Sequence, residues 1–200
     1  MNGPKQALRE SKIVARLRLS SEDRASLSHT IAARVIALEA FERARTLALY
    51  SPMGAEVDTA EIAQAAAAGG KRIAYPRIVQ GRRALELAAC GPDVLRPGDL
   101  HTREPPADAP AIPMSEIDAM IVPGVAFDAS GHRLGRGRGH YDATLASLPA
   151  GAVRVGLAFE MQMAPAVPQE EHDVALDIVV TEAAVRFRVP GDSAVGDTSH

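Results

Sequence analysis

Ten consecutive residues, Arg133-Leu134-Gly135-Arg136-Gly137-Arg138-Gly139-His140-Tyr141-Asp142, combine three glycines, three arginines, an aromatic residue and a carboxylate. Glycine lets the backbone turn and approach a ligand where a Cβ would clash. Arginine carries the planar fork that grips phosphate through two parallel hydrogen bonds. A carboxylate just beyond such a loop suits a magnesium ion that also touches phosphate oxygens. The segment therefore reads as a polyphosphate cradle, against the plainer alternative of a glycine-rich turn with solvated arginines. Helical residues follow from about 140 to 148, so free N–H groups and a positive dipole end face the loop. The pattern is not a Walker loop, because G-x-x-x-x-G-K-[ST] is absent, and no G-x-G-x-x-G opens a βαβ unit.

Other residues could join this chemistry. Asp142 is the first candidate metal ligand. Asp173 and Asp177 stand four apart directly before an apolar strand. Asp142 with Asp177 would give magnesium its usual one or two carboxylates, if the fold brings them together. The alternative for Asp177 is a strand-entry residue that caps nearby backbone N–H groups. Glu56 follows a strand end, where open α/β sheets bind ligands, and could accept hydrogen bonds from a substrate's amine or amide groups. Its alternative is an acidic neighbour of a helix start. Lys5 and Arg9 are four apart and share a helix face, which could clamp phosphates or simply be solvated. The six histidines have no metal-ligand spacing, so no zinc site is expected. Cys90 is read as structural or incidental and not as a nucleophile, and Met161, Gln162 and Met163 as ordinary packing, against the alternative of lining an apolar pocket.

The elements that must position these residues follow from periodicity. Residues 5–19 are rich in helix formers. Ser20-Ser21-Glu22-Asp23 is a helix start, followed by Ile31, Val35 and Leu38 at helical spacing. Thr46–Tyr50 is a buried-type strand, Asp58–Glu61 caps a helix that stops at Gly69-Gly70, and Arg72–Pro76 is the next strand. That order is a βαβ unit with a parallel strand pair. Leu85–Ala88 reads as an edge strand, and Cys90–Pro113 as a long surface connection with little structure. Asp118–Pro123, Val153–Ala158 and Asp177–Thr181 are buried strands, with Val185–Val189 a further edge strand. The expected fold is a single α/β domain over residues 1–190, Rossmann-like, with a mainly parallel sheet flanked by helices. Residues 191–200 are expected to be a disordered tail.

Composition bounds the function class. The chain has 200 residues, 46% hydrophobic and 24% charged, with net charge −3 and one cysteine. This balance gives no general affinity for nucleic acid or an acidic membrane. No apolar run approaches the roughly 20 residues of a membrane helix, and residues 1–10 lack a secretory signal. A single thiol suits a reducing cytoplasm, the expected location.

The motifs together resemble the 5-formyltetrahydrofolate cyclo-ligase family, from Lys5 to about Glu182. The resemblance is carried by Ile121-Val122-Pro123-Gly124-Val125-Ala126-Phe127-Asp128, by Gly131–Gly135 and by Gly137–Asp142. Lys5–Arg9, Glu56–Thr59, Tyr75-Pro76, Gly156–Phe159, Gln162, Val167-Pro168, His172-Asp173 and Asp177 support it. It implies an ATP- and magnesium-dependent closure of 5-formyltetrahydrofolate to 5,10-methenyltetrahydrofolate, with release of ADP and phosphate. It places ATP contacts on Lys5, Arg9, Arg133, Leu134, Gly135, Arg136, Gly137, Arg138, Gly139, His140 and Tyr141. Folate contacts fall on Ser51, Glu56, Arg136, Gly137, Arg138, Gly139 and His140, and magnesium on Asp142 and Asp177. Arg136, Arg138 and Tyr141 are the expected catalytic residues. The family usually has two aromatics before the aspartate, where this chain has His140-Tyr141, and often a lysine at Arg138. The expected partner is a small folate, with neither nucleic acid nor membrane, for a monomer or alternatively a dimer. Two other readings stand beside this one: a non-catalytic relative that binds a folate or phosphorylated metabolite and regulates a partner, and a sugar-phosphate isomerase or CoA-transferase-like enzyme on a similar scaffold.

Overall fold

The computed structural model describes residues 3–98 and 102–189. Three helices lead in: α1 (Pro4–Leu17), α2 (Ser21–Ile36) and the short α3 (Glu39–Arg43). Pro4 opens α1, where its missing N–H costs nothing. Ser20 caps α2 by accepting a 3.0 Å bond from the Asp23 N–H. Strand β1 (Thr46–Ala48), helix α4 (Ala60–Ala68) and strand β2 (Arg72–Arg77) form the expected βαβ unit. Gly70, at φ +69°, turns the chain out of α4 in a conformation that L side chains resist.

The chain continues through β3 (Glu86–Ala89), the short pair β4 (Arg96–Pro97) and β5 (Arg103–Glu104), and β6 (Ala111–Ile112). Strand β7 (Ala119–Val122) precedes a hairpin, β8 (Ala126–Phe127) with β9 (Arg133–Leu134), and then helix α5 (His140–Ala146). Strands β10 (Val153–Leu157), β11 (Ile178–Val180) and β12 (Val185–Phe187) complete the described chain.

The main sheet has the order β12-β11-β10-β7-β1-β2-β3-β6. The strands from β11 to β2 run parallel, while β12 pairs antiparallel with β11, β3 with β2, and β6 with β3. Side chains alternate across it with period two. Leu47, Ile121 and Val155 face the layer of α2, α3 and α4, with Ile31, Val35, Phe41 and Ile62. Ala48, Met120, Val122 and Val179 face Leu145 and Leu148 of the α5 region. Each fully buried aliphatic side chain contributes about 1.5–3 kcal/mol, so this two-faced core fixes where the strand ends lie.

Two expectations are corrected. The Leu85–Ala88 strand is not an edge, because β6 pairs outside it. The Cys90–Pro113 connection carries β4, β5, β6 and a 3-10 turn at Pro92–Val94. Alternation over two residues is too short to stand out from loop composition. The expected disordered tail at 191–200 lies outside the described residues.

Candidate functional site

The parallel strands end at one edge of the sheet, and the glycine-arginine loop meets them there. A tight hairpin turn delivers it. Buried Asp128 accepts from the N–H groups of Ser130 and His132 through Oδ1, both at 3.0 Å, and from Val167 N–H through Oδ2 at 2.9 Å. Gly131 sits at φ +83°, and a Cβ there would meet the Leu176 carbonyl oxygen at 2.3 Å, so only glycine fits. Strand β9 then leads into residues 135–139, where Gly137 and Gly139 also have positive φ.

The loop closes over a cavity of about 1090 Å3. Its lining includes Lys5 and Arg9 of α1, Ser51 and Glu56 beyond β1, and every residue from Arg133 to Asp142. Glu56 is held by its own turn. Tyr50 Oη donates to the Val57 carbonyl at 2.8 Å, Thr59 Oγ1 donates to the Tyr50 carbonyl at 3.0 Å, and Met53 N–H donates to Glu56 Oε2 at 3.0 Å. Its other oxygen accepts from Arg136 at 2.9 Å. The carboxylate side chain is 6% exposed and the Arg136 side chain 45%, so this pair joins a buried anion to a cation with room to move.

The three loop arginines differ. Arg133 points inward: its side chain is 3% exposed, it bonds Asp142 Oδ1 at 2.8 Å, and it lies 5.6 Å from the Tyr141 ring centre. Expected as an ATP contact, it serves here as the counter-ion of Asp142. Arg136 holds Glu56. Arg138 is exposed and makes no hydrogen bond or ion pair among the described residues. Leu134 is 3% exposed and packs with Ala126 and Val167, so only its backbone can serve a ligand.

Burial, then the charge of Glu56, pushes the Tyr141 phenol well above its ordinary value, against the opposing pull of Arg133. It is therefore a neutral donor at physiological pH. The His140 ring lies with Nδ1 2.8 Å from the Arg83 carbonyl. A carbonyl only accepts, so Nδ1 carries the hydrogen. The Gly139 backbone lies against the Arg83 guanidinium, which also lines the cavity.

Helix α1 brings a row of cations. Arg9 Nε donates to the Gly135 carbonyl at 3.0 Å, pinning the loop. Lys5 Nζ lies 2.8 Å from Asp173 and 3.2 Å from Glu170. Burial would lower the lysine's pKa, but the two carboxylates outweigh it and the net shift is upward. Burial would likewise raise Asp173, and Lys5 with the Glu170 N–H reverses that to a net lowering.

Magnesium was expected on Asp142 and Asp177. The structure does not bring them together. Asp177 precedes β11 at the opposite edge of the sheet, where it accepts from the Arg154 N–H at 2.8 Å. This is the strand-entry capping role. The cavity wall carries Asp173 in place of Asp177, and its donor atoms with those of Glu170 and His172 lie within 4.8 Å of one another. A four-residue offset along the chain thus separates two ends of the molecule. Asp142 fits a divalent cation: it is a hard oxygen donor whose Oδ2 has no partner among the described residues.

Sequence reading missed Arg16 and Arg83. Arg16 was legible, since Lys5, Arg9, Lys12 and Arg16 are spaced four, three and four along one helical face. Arg83 had no local signal. Gln162, read as packing, is buried and donates to the Gly124 and Val125 carbonyls at 3.0 and 3.1 Å, bracing the wall behind the cavity.

No helix of the described residues is long and apolar enough to cross a membrane. The model of the 5-formyltetrahydrofolate cyclo-ligase family matches residues 2–182. The chain is 31% identical to the 5-formyltetrahydrofolate cyclo-ligase of Escherichia coli strain K12, over 84% of this chain and 94% of that protein. It is 29% identical to the mouse enzyme of the same name, over 91% and 95%. The solved structure of Aquifex aeolicus 5,10-methenyltetrahydrofolate synthetase superposes with a TM-score of 0.82 at 30% identity, covering 98% of each chain.

Proposed function

This chain belongs to the 5-formyltetrahydrofolate cyclo-ligase family, and on that premise we propose that it closes 5-formyltetrahydrofolate to 5,10-methenyltetrahydrofolate at the expense of ATP. The chemistry needs an activated oxygen, because a formyl oxygen on nitrogen is a poor leaving group. In the proposed sequence the formyl oxygen attacks the γ-phosphorus and ADP departs. Folate N10 then attacks the formyl carbon, gives up its proton, and inorganic phosphate leaves as the ring closes.

Phosphoryl transfer asks a protein mainly for positioning and charge neutralisation. Lys5, Arg9 and Arg138 are the cations available to the triphosphate, and the N–H groups of residues 135–139 add donors. Arg136, freed from Glu56, neutralises charge at the transferring phosphoryl group. Tyr141, a neutral phenol, donates to an oxygen gaining negative charge. Ser51 and Glu56 face the pterin side, where Glu56 accepts from N–H groups. Magnesium, when bound, would neutralise phosphate charge, and Asp142 would hold it, with Asp173 a further carboxylate of the same cavity.

One observation carries the proposal: Glu56 and Arg136, eighty residues apart, are hydrogen-bonded in one cavity with Lys5, Arg9 and Asp142. The test is an absorbance assay for methenyltetrahydrofolate with 5-formyltetrahydrofolate, ATP and magnesium, run beside ADP detection. Turnover with stoichiometric ADP supports the reaction. Folded protein that takes up folate and releases no ADP is a binder and not this enzyme.

A further inference from the structure

Cations reach the glycine-arginine loop from two walls of the cavity. Arg9 of α1 lies against Gly137, and Arg83, from the connection between β2 and β3, lies against Gly139. A Cβ on Gly139 would fall 2.7 Å from Arg83 Nη2, so the glycine leaves the space that this guanidinium fills. The backbone that carries Arg83 is fixed. Gly81, at φ +80°, makes the turn, and Arg82 N–H donates to the Val79 carbonyl at 3.0 Å. The Arg83 carbonyl accepts from His140 Nδ1 at 2.8 Å, and Leu85 N–H donates to Thr144 Oγ1 at 2.9 Å. Both bonds run to α5, which holds Arg83 beside the loop.

The Arg83 side chain has no task inside the protein. Its neighbours Arg77 and Arg82 pair with Glu86. Arg103, on the same cavity wall, gives Nη2 to the Leu95 carbonyl at 3.0 Å. The exposed Arg83 guanidinium makes no hydrogen bond or ion pair among the described residues. The carboxylate on this wall is Glu104, and both its oxygens are engaged, by Thr102 Oγ1 at 2.8 Å and Ile78 N–H at 3.1 Å. The same connection lines the cavity with Pro76, Ile78 and Leu85. An apolar strip beside an unpaired guanidinium suits an aromatic ring that carries a carboxylate: the strip covers the ring, and the planar fork takes both oxygens.

5-Formyltetrahydrofolate has that chemistry, a benzoyl ring followed by a glutamate with two carboxylates. We propose that Arg83 binds the glutamate carboxylates of the folate and so sets the preference for substrates with this anionic tail. The inference rests on the reading of folate as the substrate.

Calorimetric titration of wild type, Arg83→Gln and Arg83→Lys with 5-formyltetrahydrofolate, and with its diamide in which both glutamate carboxylates are neutral, tests it. Melting temperatures and KM for ATP are measured beside it. Arg83→Gln is expected to raise Kd for the folate about fivefold, the scale of a charge-assisted bond discounted for the exposure of this arginine. Kd for the diamide is expected to be weak in wild type and to stay unmoved by the substitution. Arg83→Lys is expected to recover part of the folate Kd, and added salt to shrink the difference between wild type and Arg83→Gln. An unmoved folate Kd overturns the proposal. Equal weakening of folate and diamide makes Arg83 a support of the loop and overturns it. A raised KM for ATP in place of the folate effect assigns Arg83 to phosphate and overturns it. Wild-type protein that binds folate with this dependence on Arg83 but releases no ADP refutes the ligase reaction and keeps the inference; wild type that binds no folate removes both.

Discussion

Replacing Asp142 by asparagine would keep the side chain's shape and remove its charge. The consequence follows from Arg133. That guanidinium is 3% exposed, and among the described residues its Nε has no partner and its Nη1 reaches only the Pro123 carbonyl at 3.3 Å. Asp142, at 2.8 Å and 17% exposed, supplies nearly all of its compensation. Breaking a buried pair by removing one partner costs about 3–5 kcal/mol. Asparagine still accepts one bond through its amide oxygen, so a loss of about 2–3 kcal/mol is expected. In a chain of this length that lowers the melting temperature by roughly 4–12 °C. Arg133→Met should cost less than Asp142→Asn, because it leaves no buried guanidinium behind. The double variant should be more stable than Asp142→Asn alone. Thermal denaturation of the three variants measures this. In parallel, the magnesium concentration for half-maximal turnover should rise in Asp142→Asn. An unchanged melting temperature would refute the pair's structural weight, and an unchanged magnesium dependence would remove Asp142 from the metal site.

Arg138→Ala should lower kcat/KM for ATP by about a hundredfold, the scale of one lost donor to developing charge, while leaving the melting curve in place; equal losses in both would make Arg138 structural. Gly139→Ala puts a Cβ on a residue at φ +70°, costing about 1–2 kcal/mol, and calorimetry should record a drop of roughly 2–8 °C; no drop would mean the loop relaxes freely. The Lys5–Asp173 pair gives a pH window. Asp173 is lowered when folded, so its contribution is present above the ordinary aspartate value of 3.8 and is lost as pH falls through the folded value. Lys5 is raised, so its contribution is full below 10.5 and lost as pH rises through the folded value. The difference in melting temperature between wild type and Lys5→Met should be flat across neutral pH and vanish at both extremes; a difference that grows in acid would contradict the pairing.

Much of the fold was legible because apolar runs repeat with the periods that the core imposes. Thr46–Tyr50, Asp118–Pro123 and Val153–Ala158 are buried on both faces and cannot be mistaken for loops. Ser20 and Gly70 announce helix ends by local backbone chemistry. The two-residue strands β4, β5 and β6 owe their existence to pairing partners elsewhere, so nothing local marks them.

The site divides along the same line. Sequence alone determined the glycine-arginine loop, its carboxylate and the family, because glycine and arginine at that spacing carry their chemistry wherever the loop lies. It could not determine which arginine faces a ligand. Arg136 and Arg138 share a Gly-Arg-Gly context and Arg133 stands three residues before the first of them, yet among the described residues one is buried on Asp142, one holds Glu56 and one is free. Nor could it separate Asp173 from Asp177, since four residues suffice to cross from one edge of the sheet to the other. Only the tertiary structure decides those questions, because burial and the nearest opposite charge are properties of packed surfaces that distant segments create together.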